Sequence, residues 1–187
     1  MSEGEKGRAV YPSLRGKRVL VTGGGSGIGA GIVEGFARQG ADVTFFDVCE
    51  DDSRAHAEAV GARFVCNDLT DIAATKRVIA DLIQEGGAFD VLVNNAANDD
   101  RHSIDEVTED YWDNRLNVNL KHLFFCAQAV VPGMRKKGGG VIVNLGSISW
   151  HLALPHPPNI RGPWSAARRP RRERAPSRRC PPARDGP

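Results

Sequence analysis

Between Thr22 and Gly29 the chain reads Thr-Gly-Gly-Gly-Ser-Gly-Ile-Gly. Glycines at this density let a backbone turn tightly and approach a pyrophosphate. A helix opening just behind them offers its N-terminal N–H groups and positive dipole end. A glycine-rich run alone is often only a flexible loop. Here the apolar run Arg18–Thr22 precedes it and helical spacing follows it, which is the context the chemistry needs. The spacing is GxxxGxG, not the GxGxxG of the general dinucleotide fingerprint. Asp47 stands 20 residues after Gly27, at the end of a second apolar run. A carboxylate there can accept hydrogen bonds from adenosine ribose hydroxyls. It would repel a 2′-phosphate, and Val48 beside it supplies no cation, so NAD is expected over NADP. Asp68, after a third apolar run, could accept from an adenine amino group. As an isolated loop Asp it would instead cap the helix after Thr70.

These residues need elements to hold them, and the pattern supplies them. Short β-branched runs alternate with stretches of helical period. Strands are predicted at Arg18–Thr22, Val43–Asp47, Arg63–Cys66, Val91–Asn94 and Val141–Leu145. Helical stretches lie between them. Ile28, Ile32, Val33 and Phe36 mark the first, which Gly40 ends. Ser53–Val60 and Ile72–Ile83 are the next two. A long helix over about Tyr111–Lys136 follows, its inner face assigned to Leu120, Phe124, Ala127 and Val131, and Gly138-Gly139-Gly140 breaks it. Apolar strands alternating with helices imply a parallel sheet covered on both faces, an α/β doubly wound (Rossmann-like) fold.

Composition divides the chain. The last 27 residues, 161–187, carry nine Arg and two acids, a charge of +7; the first 160 carry 16 bases and 21 acids, a charge of −5. The terminal segment contains no Leu, Ile, Val, Met, Phe, Tyr or Lys. Nothing in it can bury enough surface to offset its ordering entropy, so disorder is expected there. Nine arginines would attract phosphates. With no aromatic interleaving beyond Trp164 and no nucleic-acid-binding fold, no nucleic-acid partner is expected. No apolar stretch reaches 18 residues, so no membrane span is expected. Met1–Tyr11 has no apolar core and reads as a flexible lead, not a signal peptide. Cys49, Cys66, Cys126 and Cys180 form no CxxC pair and no zinc-like Cys/His spacing, so no metal is expected. Reduced thiols in the cytoplasm are the expectation. The organisation is then a lead over 1–14, a nucleotide-binding domain over 15–154 and a tail over 155–187.

The motifs together resemble the short-chain dehydrogenase/reductase family. Thr22–Gly29 resembles its TGxxxGIG loop, and Asn67-Asp68-Leu69 its adenine-contacting turn. Asn94-Asn95-Ala96-Ala97 resembles its NNAG motif, with Ala97 for Gly. Val118-Asn119-Leu120 resembles the segment carrying its active-site Asn, and Asn144-Leu145-Gly146-Ser147 the strand end carrying its catalytic Ser. Within the family the chain resembles more closely still the NAD-dependent D-xylose 1-dehydrogenases and neighbouring sugar dehydrogenases. That similarity lies in Tyr11–Leu14, Asn98–His102 and Gly146–Leu152. The resemblance implies hydride transfer between NAD and a sugar or other secondary alcohol. It implies NAD contacts from Thr22, Gly23, Ser26, Gly27, Ile28, Gly29, Asp47, Asp68, Leu69, Asn95 and Ala96. It implies catalytic roles for Ser147 and Asn119, and a small-molecule substrate.

The same resemblance predicts a defect. Oxidising an alcohol needs a base, and the family uses a Tyr whose acidity a nearby Lys raises. That pair should fall at positions 160 and 164, where this chain has Ile160 and Trp164. Tyr11 and Tyr111 are the only tyrosines, and no Lys follows Lys137. The chain as written is therefore expected to be impaired. A 3-oxoacyl thioester or cyclic-alcohol substrate, or NAD binding without catalysis, are the alternatives. Arg, Pro, Ala and Gly are the residues of GC-only codons, so their sudden dominance is what a shifted reading frame near codons 155–160 would produce. The other frames of the gene test this. The fold is expected to be truncated after about five strands, leaving the fifth strand and one sheet face uncovered. The resemblance implies homo-oligomers, with the helices that form their interface expected to be lacking here.

Overall fold

The computed structural model describes residues 9–98 and 103–146. Five strands, β1 (Arg18–Thr22), β2 (Asp42–Asp47), β3 (Arg63–Cys66), β4 (Val91–Asn94) and β5 (Val141–Asn144), form one parallel sheet in the order β3-β2-β1-β4-β5. Helices α1 (Gly27–Arg38), α2 (Glu50–Val60) and α3 (Ile72–Gly86) make the first three crossovers. The fourth passes through α4 (Glu109–Leu116), a π-helical turn (Asn117–Lys121) and α5 (His122–Lys136).

The strands read as continuous apolar runs because both faces are covered. Alternate side chains divide into two cores. Leu20 and Leu92 pack with Ile79 and Leu82 of α3 and Cys126, Val130 and Met134 of α5. Val19, Val21, Val91 and Val93 pack with Val33 of α1 and Ala57 of α2. The doubly wound fold expected from the pattern is the fold observed.

The chain winds outward from β1 to β3, then returns across β1 to lay down β4. The winding therefore reverses between β1 and β4, the place where open α/β sheets leave a crevice at the carboxyl ends of their strands. Register brings those ends level. Thr22 pairs with Phe46 on one side and Asn94 on the other, and Asn94 pairs with Asn144. At the opposite edge Asp90 accepts from the Arg18 N–H (2.9 Å), Lys17 Nζ (3.3 Å) and Lys137 Nζ (2.8 Å). Burial pushes the Asp90 carboxyl up, but these donors outweigh it and hold it below the usual carboxylate range. That edge is locked by charge, while the carboxyl edge is left open.

Three expectations need correction. Helix α2 begins at Glu50, not Ser53, because Glu50, Asp51 and Asp52 fill a first turn where acids meet the positive helix end. The long helix is interrupted by the π turn, and its buried line is His122, Cys126, Val130 and Met134. Leu120 and Phe124, assigned to the inner face, are 60% and 64% exposed. Trp112, Leu116, Leu120 and Phe124 form a second apolar line at the same four-residue spacing. Periodicity cannot tell which of two such lines is buried. Finally, Cys66 is disulfide-bonded, whereas Cys49 and Cys126 are reduced. Cysteine spacing carries no information on which thiols meet in the fold.

Candidate functional site

Thr22 is the fully buried last residue of β1. Its Oγ1 accepts from the backbone N–H groups of Asn95 (3.0 Å) and Ala96 (3.1 Å), just past β4. Asn95 answers by donating from Nδ2 to the carbonyls of Thr22 (3.1 Å) and Gly23 (2.9 Å). The two motifs thus clasp each other across the switch point. Gly23 has φ +68°, and a Cβ there would lie 2.7 Å from Ala96 Cα. Glycine is required for both the angle and the space. At Gly29, in the first turn of α1, a Cβ would collide with the Gly23 carbonyl and lie 2.5 Å from Asn95 Nδ2.

Asp47 organises the other wall. Its Oδ2 accepts from Gly25 N–H (2.9 Å), and its Oδ1 from Val48 N–H (2.8 Å) and Cys49 N–H (3.0 Å). The carboxylate therefore ties the end of β2 to the glycine loop. Asp68 accepts from Thr70 through both N–H (2.9 Å) and Oγ1 (2.7 Å), closing a local turn. The cap of α3 is Asp71, which accepts from Ala74 N–H at 2.8 Å. The helix-cap reading of Asp68 fails because Asp71 lies at the helix boundary and Asp68 three residues before it.

These walls enclose a cleft of about 1020 Å³. Gly23, Ser26, Ile28, Gly29, Asp47, Asp68, Leu69, Asn95 and Ala96 all border it. Ser26 stands at the N-cap of α1 without a side-chain cap bond, and Gly27 has φ +55°. Ile28 points outward, 73% exposed. The cleft fits a dinucleotide: its loop leaves no room for a Cβ where a phosphate group must approach, and its far wall carries a carboxylate. A more open groove of about 660 Å³ between α3 and α5 contains none of the motif residues.

Asn119 sits in the π turn. Its Oδ1 accepts from Asn98 N–H (2.7 Å), and its Nδ2 donates to the Asn98 carbonyl (3.2 Å). It acts on the cleft through Asn98, which borders it. Arg115 and Val118 also border the cleft, and neither was expected there. They come from the long crossover, whose phase the π turn shifts. His122 was also missed. It is fully buried, with Nδ1 2.7 Å from the Val118 carbonyl and Nε2 3.5 Å from Thr22 Oγ1. Burial pushes its pKa down, against the opposing pull of the Val118 carbonyl, so the ring is neutral at neutral pH. Ser147, Ile160, Trp164 and residues 99–102, including the sugar-dehydrogenase-like loop, lie outside the described residues. Among the described residues no group of three His, Cys, Asp or Glu could hold a metal ion, and no helix is long and apolar enough to cross a membrane.

Comparison with known proteins agrees with this geometry. The "short chain dehydrogenase" family matches residues 17–159. D-xylose 1-dehydrogenase of Caulobacter vibrioides is 58% identical over 151 residues, 78% of this chain and 59% of that protein. Sorbitol dehydrogenase of Cereibacter sphaeroides is 38% identical over 137 residues, 72% of this chain and 54% of that protein. A double-substituted short-chain dehydrogenase/reductase of Serratia marcescens superposes with a TM-score of 0.67 at 33% identity, covering 73% of this chain and 57% of that one. The chain thus spans less than two thirds of the length of these relatives. Across that span the glycine loop, the Asn-Asn-Ala turn and the five-stranded sheet are one arrangement, and the chain belongs to the short-chain dehydrogenase family.

Proposed function

We propose that this chain binds NAD across the carboxyl edge of its sheet, and that the activity it derives from is hydride transfer between NAD and an aldose such as D-xylose. The Asp47 carboxylate carries the cofactor reading. It stands at the end of β2 beside the glycine loop, where it would accept from ribose hydroxyls and repel a 2′-phosphate. The sugar reading rests on likeness to the xylose and sorbitol dehydrogenases.

NAD, when bound, is the hydride donor or acceptor. The chain's own residues bind and orient. Gly23 and Gly29 would let the backbone approach the cofactor, the first turn of α1 would offer its N–H groups to the phosphates, and Asn95 keeps the loop carbonyls occupied. Ser147 would orient the substrate oxygen, and Asn119 holds Asn98 at the cleft. The base is what the chain lacks, since neither the alkyl group of Ile160 nor the indole of Trp164 can take up a proton near neutral pH. We therefore expect binding without appreciable turnover.

The proposed compartment is the cytoplasm, where NAD is supplied.

Calorimetry of the full chain with NAD and with NADP tests the cofactor reading. NAD should bind at least about tenfold more tightly, the equivalent of one unfavourable charge contact. Equal affinities, or a preference for NADP, overturn it. NAD reduction with D-xylose at an ordinary enzymatic rate would overturn the proposed impairment.

A further inference from the structure

His122 occupies a position where an apolar side chain would pack well. It lies on the buried line of α5 with Cys126, Val130 and Met134, all contributing to one core. Histidine is seldom fully buried without a polar reason. Both ring nitrogens have that reason. The Val118 carbonyl can only accept, so Nδ1 carries the proton and donates to it. That leaves the Nε2 lone pair facing Thr22 Oγ1 at 3.5 Å. The Thr22 oxygen already accepts two N–H groups, from Asn95 and Ala96, so its own proton needs an acceptor. Among the described residues His122 Nε2 is the acceptor within reach.

The bond to Val118 has a consequence for the helix. Val118 lies four residues before His122, so its carbonyl is the ordinary helical partner of the His122 N–H. A side chain that takes this carbonyl competes with the regular ladder, and such intrusions bend helices or open π turns. The π turn is Asn117–Lys121, the five residues before His122. At its centre Asn119 grips both backbone polar groups of Asn98.

We infer that His122 is a positioning residue: its neutral ring joins the Thr22 hydroxyl to the Val118 carbonyl, and so maintains the π turn that sets Asn119 against Asn98. The glycine loop, the Asn-Asn-Ala turn and the Asn119 segment are then one hydrogen-bonded unit. Its consequence for cofactor affinity rests on the NAD reading above. The pin itself does not.

Two readouts on the full chain at pH 7 test it. Long-range ¹H–¹⁵N correlation of the histidine rings, with His122 assigned by the signal lost in a variant, should show Nδ1 protonated and Nε2 bare. The Asn119 side-chain amide, held by Asn98, should exchange with solvent roughly tenfold faster in His122→Leu, the effect of losing one hydrogen bond. His122→Asn can still offer an N–H to Val118 and should recover part of that protection. A proton on Nε2 overturns the inference. So does unchanged Asn119 exchange in a folded His122→Leu. If that variant does not fold, the ring tautomer of the native chain decides alone. NAD affinity, measured in parallel, should fall in His122→Leu. If NAD fails to bind even the native chain, the NAD reading falls and the tautomer still judges the pin.

Discussion

Asp47 has one observed task and one proposed task for the same carboxylate, and its replacement by Ala removes both. As an acceptor from Gly25, Val48 and Cys49 it fixes the loop; as an anion it is proposed to select the cofactor. Asp47→Ala strips all three N–H groups of their partner. It should cost about 2 kcal/mol of stability by denaturant titration, since these groups are only partly buried. NAD affinity should fall by roughly a hundredfold by calorimetry, the worth of two hydrogen bonds to a charged group. Undiminished NAD affinity would remove Asp47 from the site. His122 makes a second residue-scale prediction, through pH. Its folded pKa lies below the ordinary His value because burial disfavours the charged ring. Once pH falls below about 6.5, the unfolded chain takes up a proton that the folded chain refuses. Unfolding is then favoured by acid. Stability should fall from pH 7 toward pH 5, with a slope of at most about 1.4 kcal/mol per pH unit for one proton. Asp90 does not interfere in this window: its lowered pKa makes its contribution vanish only in stronger acid. Denaturant titration of the native chain and of His122→Asn checks this, and a slope that persists in the variant would assign it to other groups.

At the scale of elements, the strands were legible because each is an apolar run ended by a polar residue at the sheet edge. The junction of β1 and α1 was legible for a related reason: its glycines answer to contacts that any side chain would disturb. Gly29→Ala sets a methyl against the Gly23 carbonyl. It should destabilise by about 3 kcal/mol, a fall in Tm on the order of 10 °C for a chain of this size. A thermal melt indistinguishable from native would show the loop to be slack. The long crossover was not legible. Two apolar lines of equal four-residue spacing run along it, and a π turn over Asn117–Lys121 interrupts it before the buried line begins at His122. Nothing in the order of residues announces such a turn. It depends on a side chain meeting a carbonyl and on a hydroxyl 100 positions earlier in the chain. The site divides in the same way. Asp47 and the glycine loop follow from strand ends and spacing. His122, Arg115 and Asn98 follow from tertiary contact, and Asp68 lost its capping role to Asp71 for want of three residues of boundary precision.

At the scale of the whole molecule, the described residues form a sheet with one face incompletely covered. Val141 and Val143 of β5 are in register with Val91 and Val93, so they share the face that α1 and α2 cover elsewhere. Over β5 that face has no helix among the described residues, and both valines are exposed. Ile142, on the opposite face, packs against the core that α5 seals. β5 is also the last strand of the sheet among the described residues, where its outer N–H and C=O groups have no strand beside them. To this edge is added the outward line of Trp112, Leu116, Leu120 and Phe124. Exposed apolar surface next to an open strand edge drives association. The relatives are longer chains, of which this one spans 59% in the xylose dehydrogenase. Light scattering should therefore show self-association that grows with concentration from micromolar upward. The two surfaces can be told apart. Phe124→Lys places a charge on the helical line and should reduce association if that line drives it. Val143→Lys charges the bare face of β5 and should do so if the edge drives it. NAD affinity should be unchanged in Phe124→Lys, whose position borders neither the cleft nor the clasp of Thr22 and Asn95. A native chain that stays monomeric at its highest soluble concentration would mean these surfaces are covered in solution by residues outside 9–98 and 103–146.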